Sequence, residues 1–277
     1  MPAAKEGAAA EGPTCGDCHE QSPAFSRSPH AAKAGKTGAT PAAIEAACAS
    51  CHGDGKAHME AGGDASLIKS LKGGAATSTC LTCHIDSNAH SSFKTGPHAA
   101  GQAVNCETCH SIHASDVKAG KLLVKESTEL CSSCHGSVAS GFKTMPVTHH
   151  FGRGGLTCLS CHNAHGRAGR EGLAYTKAGE LPCLSCHADL RGPHVFPHQQ
   201  NAGDCLSCHV PHASPNSKLL TRSRVDQLCF ECHSPITSTT AGSGPPSSHD
   251  LRSARYRNCT VCHTAIHGSN RSPELLK

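Results

Sequence analysis

Residues 106–113 read Cys-Glu-Thr-Cys-His-Ser-Ile-His, and the first five of these positions form a C-x-x-C-H motif. The same five-residue pattern occurs ten times in the 277 residues and uses all 20 cysteines. Two thiols at this spacing can each add to one vinyl group of a haem, and the adjacent His is then held under the iron as its proximal ligand. The sequence therefore predicts ten covalently attached c-type haems.

The ten motifs are numbered 1 to 10 in chain order, and together they supply all the predicted thioether bonds and proximal ligands. The predicted thioether cysteines are Cys15, Cys18, Cys48, Cys51, Cys80, Cys83, Cys106, Cys109, Cys131, Cys134, Cys158, Cys161, Cys183, Cys186, Cys205, Cys208, Cys229, Cys232, Cys259 and Cys262. The predicted proximal ligands are His19, His52, His84, His110, His135, His162, His187, His209, His233 and His263.

Two other uses of paired cysteines were weighed. C-x-x-C pairs also bind zinc or act as redox dithiols, and a cysteine-rich chain can form a disulfide framework. Neither use explains why His follows every pair in a chain that has only 23 His. Haem attachment is therefore the favoured interpretation.

The composition of the chain leaves little material for a core made of side chains. Aromatic residues are 3% of the chain, Trp is absent, and Gly and Pro together number 44. Such a chain buries too little apolar area to offset its conformational entropy, whereas ten porphyrins could supply an apolar core. We predict a multihaem cytochrome fold of loops and short α-helices with almost no β-structure, elongated around a haem-dominated core. The haem-free chain is not expected to fold.

The charge and the hydropathy of the chain argue against nucleic-acid binding and against a transmembrane helix. The formal net charge of +4 comes from scattered Lys and Arg, and haem propionates would offset it, so no nucleic-acid partner is predicted. There is no apolar stretch of 18 residues, so the chain is not expected to have a transmembrane helix of its own. No signal-peptide hydrophobic region is recognisable. Because this kind of haem attachment takes place outside the cytoplasmic membrane, we expect an exported protein whose signal peptide is missing from this chain.

Thirteen histidines outside the motifs are candidates for the second axial position of each iron. Only three Met occur, one of them terminal, and Met59 and Met145 are interpreted as packing residues. We therefore predict ten low-spin bis-His haems with low potentials, since they lack the Met sulfur that raises the potential. The predicted distal ligands are His30, His58, His98, His113, His150, His165, His198, His212, His249 and His267. His90, His149 and His194 are left over, and which of them is a true non-ligand stays open.

An internal repeat selects most of these ligands. Three segments share one plan, in which a His is followed 7 or 8 positions later by C-x-x-C-H-x-x-H and then by a second C-x-x-C-H; they begin at His98, His150 and His198. A fourth, partial unit runs over residues 249–267. Within the repeat, His149 and His194 are close competitors of His150 and His198. Residues 1–97 lie outside the repeat, and His30 and His58 are the best candidates there.

The doublet C-x-x-C-H-x-x-H carries a geometric restriction. The α-carbons of two histidines on opposite sides of one iron lie roughly 12 Å apart, whereas three residues span at most about 10.8 Å. His113, His165 and His212 are therefore predicted to ligate a haem other than the one beside them, and His267 is interpreted in the same way. Such cross-ligation would tie neighbouring haems into one framework.

These motifs resemble a known family. The doublets CHSIH (109–113), CHNAH (161–165) and CHVPH (208–212), the segment CASCHGDGKAHMEAGGD (48–64) and the ending CTVCHTAIHGSN (259–270) are similar to those of the periplasmic decahaem cytochromes of the MtrA/DmsE type. The resemblance implies two pentahaem modules, residues 1–140 and 141–277. It also implies periplasmic electron donors, an outer-membrane β-barrel porin that encloses the chain, and a cell-surface multihaem cytochrome as acceptor.

Four functions were compared. The favoured prediction is electron transfer across the outer membrane inside a porin, because ten haems in a row would exceed the roughly 40–45 Å of a bilayer. A soluble periplasmic shuttle to a terminal reductase needs the same haems and is the alternative. A multihaem reductase would need an open axial position, which the surplus of histidines argues against, so the protein is not expected to be an enzyme. An extracellular filament would need haems exposed at both ends.

Overall fold

The computed structural model describes residues 13–20, 25–32, 41–85, 90, 92–100, 104–113, 120–149, 155–166, 172–198, 204–233, 249 and 253–276. These ranges consist mostly of loops joined by short helices, with one two-stranded antiparallel sheet. The predicted fold class, loops and short α-helices with almost no β-structure, is confirmed.

The described helices are short. The α-helical segments are Cys15–Cys18, Pro29–Ala32, Pro41–His52, Lys56–Glu60, Gly74–His84, Pro97–Ala100, Cys106–Cys109, Ser127–Ser132, Gly136–Thr144 and Val225–Cys229. The 3-10 segments are Ala65–Leu67, Phe93–Thr95, Cys158–Ser160, Pro182–Ser185, Ala188–Leu190, Cys205–Ser207, Ser217–Leu219, Ala254–Tyr256 and Cys259–Val261.

The two longest helices of the described ranges lead directly into haem motifs. Pro41–His52 has 12 residues and Gly74–His84 has 11, and each ends on the His of a C-x-x-C-H motif. Pro41 occupies the first position, where its missing N–H would have had no intrahelical acceptor. Neither helix buries an apolar stripe, since Pro41–His52 has no buried residue and Gly74–His84 buries only Ala76 and Leu81. Helices of this length are marginal alone, so they depend on what packs against them.

The sheet pairs a segment just before the second repeat unit with a segment of the third unit. Strand β1 (Val147–Thr148) pairs with β2 (Ala213–Ser214), with Val147 opposite Ser214 and Thr148 opposite Ala213. The pairing places the residue after β1, His149, beside the loop that precedes β2. This contact matters for the site described below.

Few side chains form a core. Only nine apolar residues of the described ranges are buried, among them Phe25, Phe93 and Leu123, and three of the nine are alanines. At roughly 25 cal/mol per Å² of buried apolar surface, so small a set cannot offset the ordering entropy of the chain. The protein part of the molecule therefore needs another apolar component to be stable.

The chain divides into two compact units. One contains residues 1–130 together with 164–172, and the other contains residues 131–163 together with 173–277. Motifs 1 to 4 lie in the first unit and motifs 5 to 10 in the second. The division at residue 140 into two pentahaem modules remains a prediction about how the haems group.

Candidate haem-binding sites

Each C-x-x-C-H motif forms a single helical turn. In motifs 1, 4 and 8, for example, the backbone N–H of the motif His donates to the carbonyl of the first Cys over 2.9–3.0 Å. The two cysteines, three residues apart on one turn, lie on the same face of it. This arrangement presents both thiols and the adjacent imidazole to one planar group. All twenty cysteines are described and are free of disulfides.

A pair of imidazoles that share one iron has a characteristic separation. Metal–nitrogen bonds of about 2 Å on each side, together with the ring radius, put the two ring centres about 6.3 Å apart. Seven motif histidines face a second His at 5.8–6.3 Å with ring planes within 29° of parallel. These pairs are His19 with His58, His52 with His113, His110 with His165, His162 with His212, His209 with His267, His233 with His198, and His263 with His249.

Two further motif histidines face a second His with crossed ring planes. His187 lies 6.5 Å from His149 at 62°. His84 lies 6.0 Å from His30 at 68° and 5.3 Å from His90 at 66°. Nine motif histidines within the described ranges thus have another imidazole at the separation that a shared iron requires. The residues present fit a haem iron held from both sides.

The doublet histidines follow one rule. The second His of each doublet lies opposite the motif His two motifs earlier in the chain. His113, three residues after motif 4, faces motif 2, and His165 after motif 6 faces motif 4. His212 after motif 8 faces motif 6, and His267 after motif 10 faces motif 8. This geometry agrees with the restriction that a doublet cannot close on its own haem.

Backbone carbonyls fix the tautomer of many of these histidines. A carbonyl oxygen can only accept a hydrogen bond, so an imidazole Nδ1 at this distance must donate, and the Nε2 lone pair is left for a metal. Seven histidines have this arrangement, with Nδ1 to oxygen distances of 2.5–3.0 Å. They are His52, His58, His98, His110, His149, His209 and His263. Such a bond also makes the ligand more basic, which favours ferric iron and lowers the potential.

Strained turns supply some of these carbonyls. Lys121 and Lys218 adopt left-handed φ values of 49° and 56°, and their carbonyls accept from His110 and His209. A non-glycine residue in this region costs about 1–3 kcal/mol and persists only where its surroundings require it. The strain here coincides with the orientation of a motif imidazole. The short Lys-Leu-Leu segments 121–123 and 218–220 recur at similar distances after motifs 4 and 8 and could have revealed these turns from sequence.

Burial keeps several of the second histidines neutral. Burial, followed by the neighbouring imidazole of His90, lowers the pKa of His165 to about 4. Burial is also the main cause of the lowered pKa of His113, His198 and His267. The neutral imidazole is the form that binds a metal, so these four predicted distal ligands are held ready for coordination at neutral pH.

The cysteines of successive motifs are neighbours. Four pairs of first cysteines lie within hydrogen-bonding distance of each other: those of motifs 1 and 2, 3 and 4, 7 and 8, and 9 and 10. Electrostatic interactions link motifs 2 and 3, 6 and 7, and 8 and 9. Burial, followed by Glu45, raises the pKa of Cys15 to about 12, and the Glu45 carboxylate accepts from its thiol at 3.0 Å. Motifs 1 to 4 within the first unit, and motifs 6 to 10 within the second, are therefore adjacent in sequence order.

The leftover histidines occupy three different settings. His149, which spacing alone placed behind His150, faces His187 and donates from Nδ1 to the Pro211 carbonyl at 2.7 Å. His150 itself lies outside the described residues. His90 lies 4.3 Å from the ring of His165. His194 packs against Gly268, where an added Cβ would lie 2.2 Å from the ring, and its buried Nε2 has no protein hydrogen-bond partner.

The prediction preferred His150 to His149 on spacing alone, and a one-residue difference in spacing does not decide between adjacent histidines. The deciding contact is with Pro211, 62 residues away.

None of the helices in the described residues combines the length and the apolar character that crossing a membrane requires.

Comparison with known proteins supports this interpretation of the sites. The doubled CXXCH motif family matches residues 96–140, 149–192 and 198–237, which correspond to the three repeat units. The chain is similar to the multiheme cytochrome MtrA of Shewanella baltica (strain OS185), with 31% identity over 243 residues that cover 83% of this chain and 70% of the relative. Covalent c-type haems and electron transfer follow from this membership. The chain belongs to the MtrA-like family of multihaem c-type cytochromes.

Proposed function

We propose that this protein binds ten bis-His c-type haems and carries electrons from the periplasm across the outer membrane inside a β-barrel porin. The observation that carries the proposal is the continuity of the sites. Motifs 1 to 4 lie side by side through their cysteines in the first unit, as do motifs 6 to 10 in the second. Paired histidines 5.8–6.5 Å apart leave room for an iron between them. When bound, the haems supply a one-electron ferric–ferrous couple at each position.

The polypeptide has three tasks in this function. The C-x-x-C turns fix each porphyrin edge, and the backbone carbonyls orient the imidazoles so that Nε2 faces the iron. Sites 2, 4, 6 and 8 are each connected to the motif two positions later, by His113, His165, His212 and His267. Sites tied together in this way cannot drift apart, and short fixed separations between redox centres favour rapid electron exchange.

The proposed ligand set keeps the predicted cysteines and motif histidines, and it adopts nine of the ten predicted distal histidines together with His149. Two axial imidazoles at each iron leave no position for a substrate, which favours electron transfer over catalysis. The proposed location in the periplasm, and the porin and cell-surface cytochrome as partners, rest on the family resemblance.

The haem count is tested by mass spectrometry of the intact protein, with ten added haems expected. Ligation is tested by low-temperature electron paramagnetic resonance and by near-infrared magnetic circular dichroism of the ferric protein. These should show low-spin iron with two imidazole ligands and only traces of high-spin iron. Several missing haems, or abundant high-spin iron, would contradict the proposal.

The conduit is tested in liposomes that enclose an oxidised dye. The protein is incorporated with its cognate outer-membrane barrel, and a reductant is added outside. We expect the dye to be reduced only when both proteins are present. A matched variant, Cys158→Ala with Cys161→Ala, lacks the sixth haem and should still bind the barrel but pass electrons far more slowly. Recovery of the protein solely as a free monomer that never binds a barrel would favour the soluble shuttle instead.

A further inference from the structure

The histidine pairs fall into two classes by the angle between their rings. Seven pairs have planes 10–29° apart. The pairs at motifs 3 and 7 have planes 62–68° apart. Among the described pairs that contain a motif histidine, none falls between 29° and 62°, so the two classes are distinct.

The crossing at motif 3 does not depend on which histidine is the ligand. His84 makes an angle of 68° with His30 and of 66° with His90. Either partner therefore presents a crossed imidazole. His84 is the last residue of the helix Gly74–His84, which fixes its backbone.

The crossing at motif 7 has an identifiable cause. The Nδ1 of His149 donates to the Pro211 carbonyl, which belongs to the loop just before β2. The β1–β2 pairing holds this loop beside His149, with Thr148 opposite Ala213. The orientation of the His149 ring is thus set by the β1–β2 contact. The backbone of His187 has the same turn as the other motifs, in which its N–H donates to the Cys183 carbonyl.

We infer that motifs 3 and 7 hold two electronically distinct irons, set apart by the crossed planes of their axial histidines. Parallel imidazoles interact through their π systems with the same iron d orbital and split it from its neighbour, which stabilises the ferric state. Crossed imidazoles interact with two different d orbitals, so the splitting is lost. His149 with His187, and His84 with its partner, therefore raise the potential of their sites above that of an otherwise equal parallel site. This inference rests on the bis-His ligation proposed above.

The test is the electron paramagnetic resonance spectrum of the fully ferric ten-haem protein. Crossed pairs give a low-spin signal with one unusually large principal g value, whereas parallel pairs give an ordinary rhombic low-spin signal. We expect about two of the ten ferric spins in the large-g class. The variant His149→Ala should lose one of these spins and gain one high-spin iron.

A matched control separates the two classes. The variant His198→Ala, at a pair with planes only 10° apart, should also gain one high-spin iron but lose a spin from the rhombic class. If all ten spins are rhombic, or if His198→Ala depletes the large-g class, the inference is wrong while bis-His ligation stands. If near-infrared magnetic circular dichroism of the unmodified protein shows no bis-imidazole iron, the proposed function itself fails.

Discussion

Residues 1–97 and the repeat that follows them hold their haem motifs in different ways. In the first region, motifs 2 and 3 end helices of 12 and 11 residues, Pro41–His52 and Gly74–His84. In the repeat, motifs 4, 6 and 8 each occupy one isolated turn of three or four residues. In the repeat, the doublet histidines connect each unit to an earlier motif, and His113 of the first unit faces motif 2 outside the repeat.

The difference shows that two structural solutions support the same coordination geometry. Ring separations are 6.0–6.2 Å at motifs 1 and 2 and 5.8–6.3 Å at motifs 6 and 8. A helix that ends at the motif His is therefore not required for iron coordination. What the two regions share is the C-x-x-C-H turn and a carbonyl that accepts from an imidazole Nδ1.

The largest expected effect follows from removing every haem. The polypeptide produced without haem attachment should show no cooperative heat absorption by calorimetry in either region. Even the helix Pro41–His52 is too short to persist alone, and the nine buried apolar residues of the described ranges do not make a core. Far-ultraviolet circular dichroism should show little helix. A cooperative transition from the haem-free chain would mean that the first region folds by itself and that the two regions differ more deeply than proposed.

The next largest effect tests the cross-tie, by which we mean the ligation of a haem by the doublet histidine that lies two motifs later in the chain. The variant His212→Ala should leave one iron per chain five-coordinate, detected as one bound carbon monoxide in the reduced protein. The open iron should belong to motif 6, since His212 lies 5.8 Å from His162. Adding Cys158→Ala and Cys161→Ala, which removes the haem of motif 6, should abolish this binding.

A matched combination of substitutions identifies which iron has lost its second ligand. Adding Cys205→Ala and Cys208→Ala to His212→Ala removes the haem of motif 8, which is adjacent to residue 212 in the chain, and should leave carbon monoxide binding intact. In the first region, His58→Ala should open the iron of motif 1 by the same criterion. If the motif 8 combination rather than the motif 6 combination abolishes binding, ligation within a doublet is local and the cross-tie is absent.

A smaller set of variants resolves the ligand of motif 3 in the first region. The 6.0 Å between His84 and His30 matches an iron between them, whereas the 5.3 Å to His90 is about 1 Å too short. We therefore expect His30→Ala to open one iron to carbon monoxide and His90→Ala to open none. The reverse result would assign His90 as the ligand and His30 as its neighbour.

The contrast between the two regions also explains which second histidines could be predicted from the sequence. Within the repeat, consistent spacing selected His165, His198 and His212, and each lies opposite a motif histidine. The number of haem motifs and the scarcity of aromatics also predicted a fold of short helices. Spacing could not rank His149 against His150, because the contact that orients His149 is with the Pro211 carbonyl, 62 residues away.

In residues 1–97 no repeat is present, so the choice of His30 over His90 had no spacing rule behind it. The ring angles at motifs 3 and 7 were also beyond prediction, since they depend on contacts between segments distant in the chain. Three-dimensional packing supplies the information that periodicity lacks.

The smallest expected effect is on the free energy of unfolding, and it concerns two carboxylates at the starts of the helices that lead into motifs 5 and 9. Asp226, at the start of Val225–Cys229, is only 3% exposed. Its carboxylate accepts hydrogen bonds from the Arg224 Nε at 3.1 Å and from the Gln227 N–H at 3.0 Å. Glu126, just before Ser127–Ser132, is exposed and accepts from the Thr128 N–H at 2.8 Å. The hydrogen bonds from Arg224 are the main cause of the lowered pKa of Asp226.

Because the pKa of Asp226 is lowered by folding, its contribution to stability is present above the ordinary aspartate pKa of about 4 and is lost as the pH falls through the folded value. We expect Asp226→Asn to lower the free energy of unfolding of the holo-protein by about 1–2 kcal/mol at pH 7 and to remove part of its acid sensitivity. Glu126→Gln should have a smaller effect, since water screens an exposed carboxylate. Urea denaturation at pH 7 and at pH 3 measures both variants. Equal losses would show that exposure does not separate these two helix starts, and that the charge-assisted contact with Arg224 adds nothing measurable.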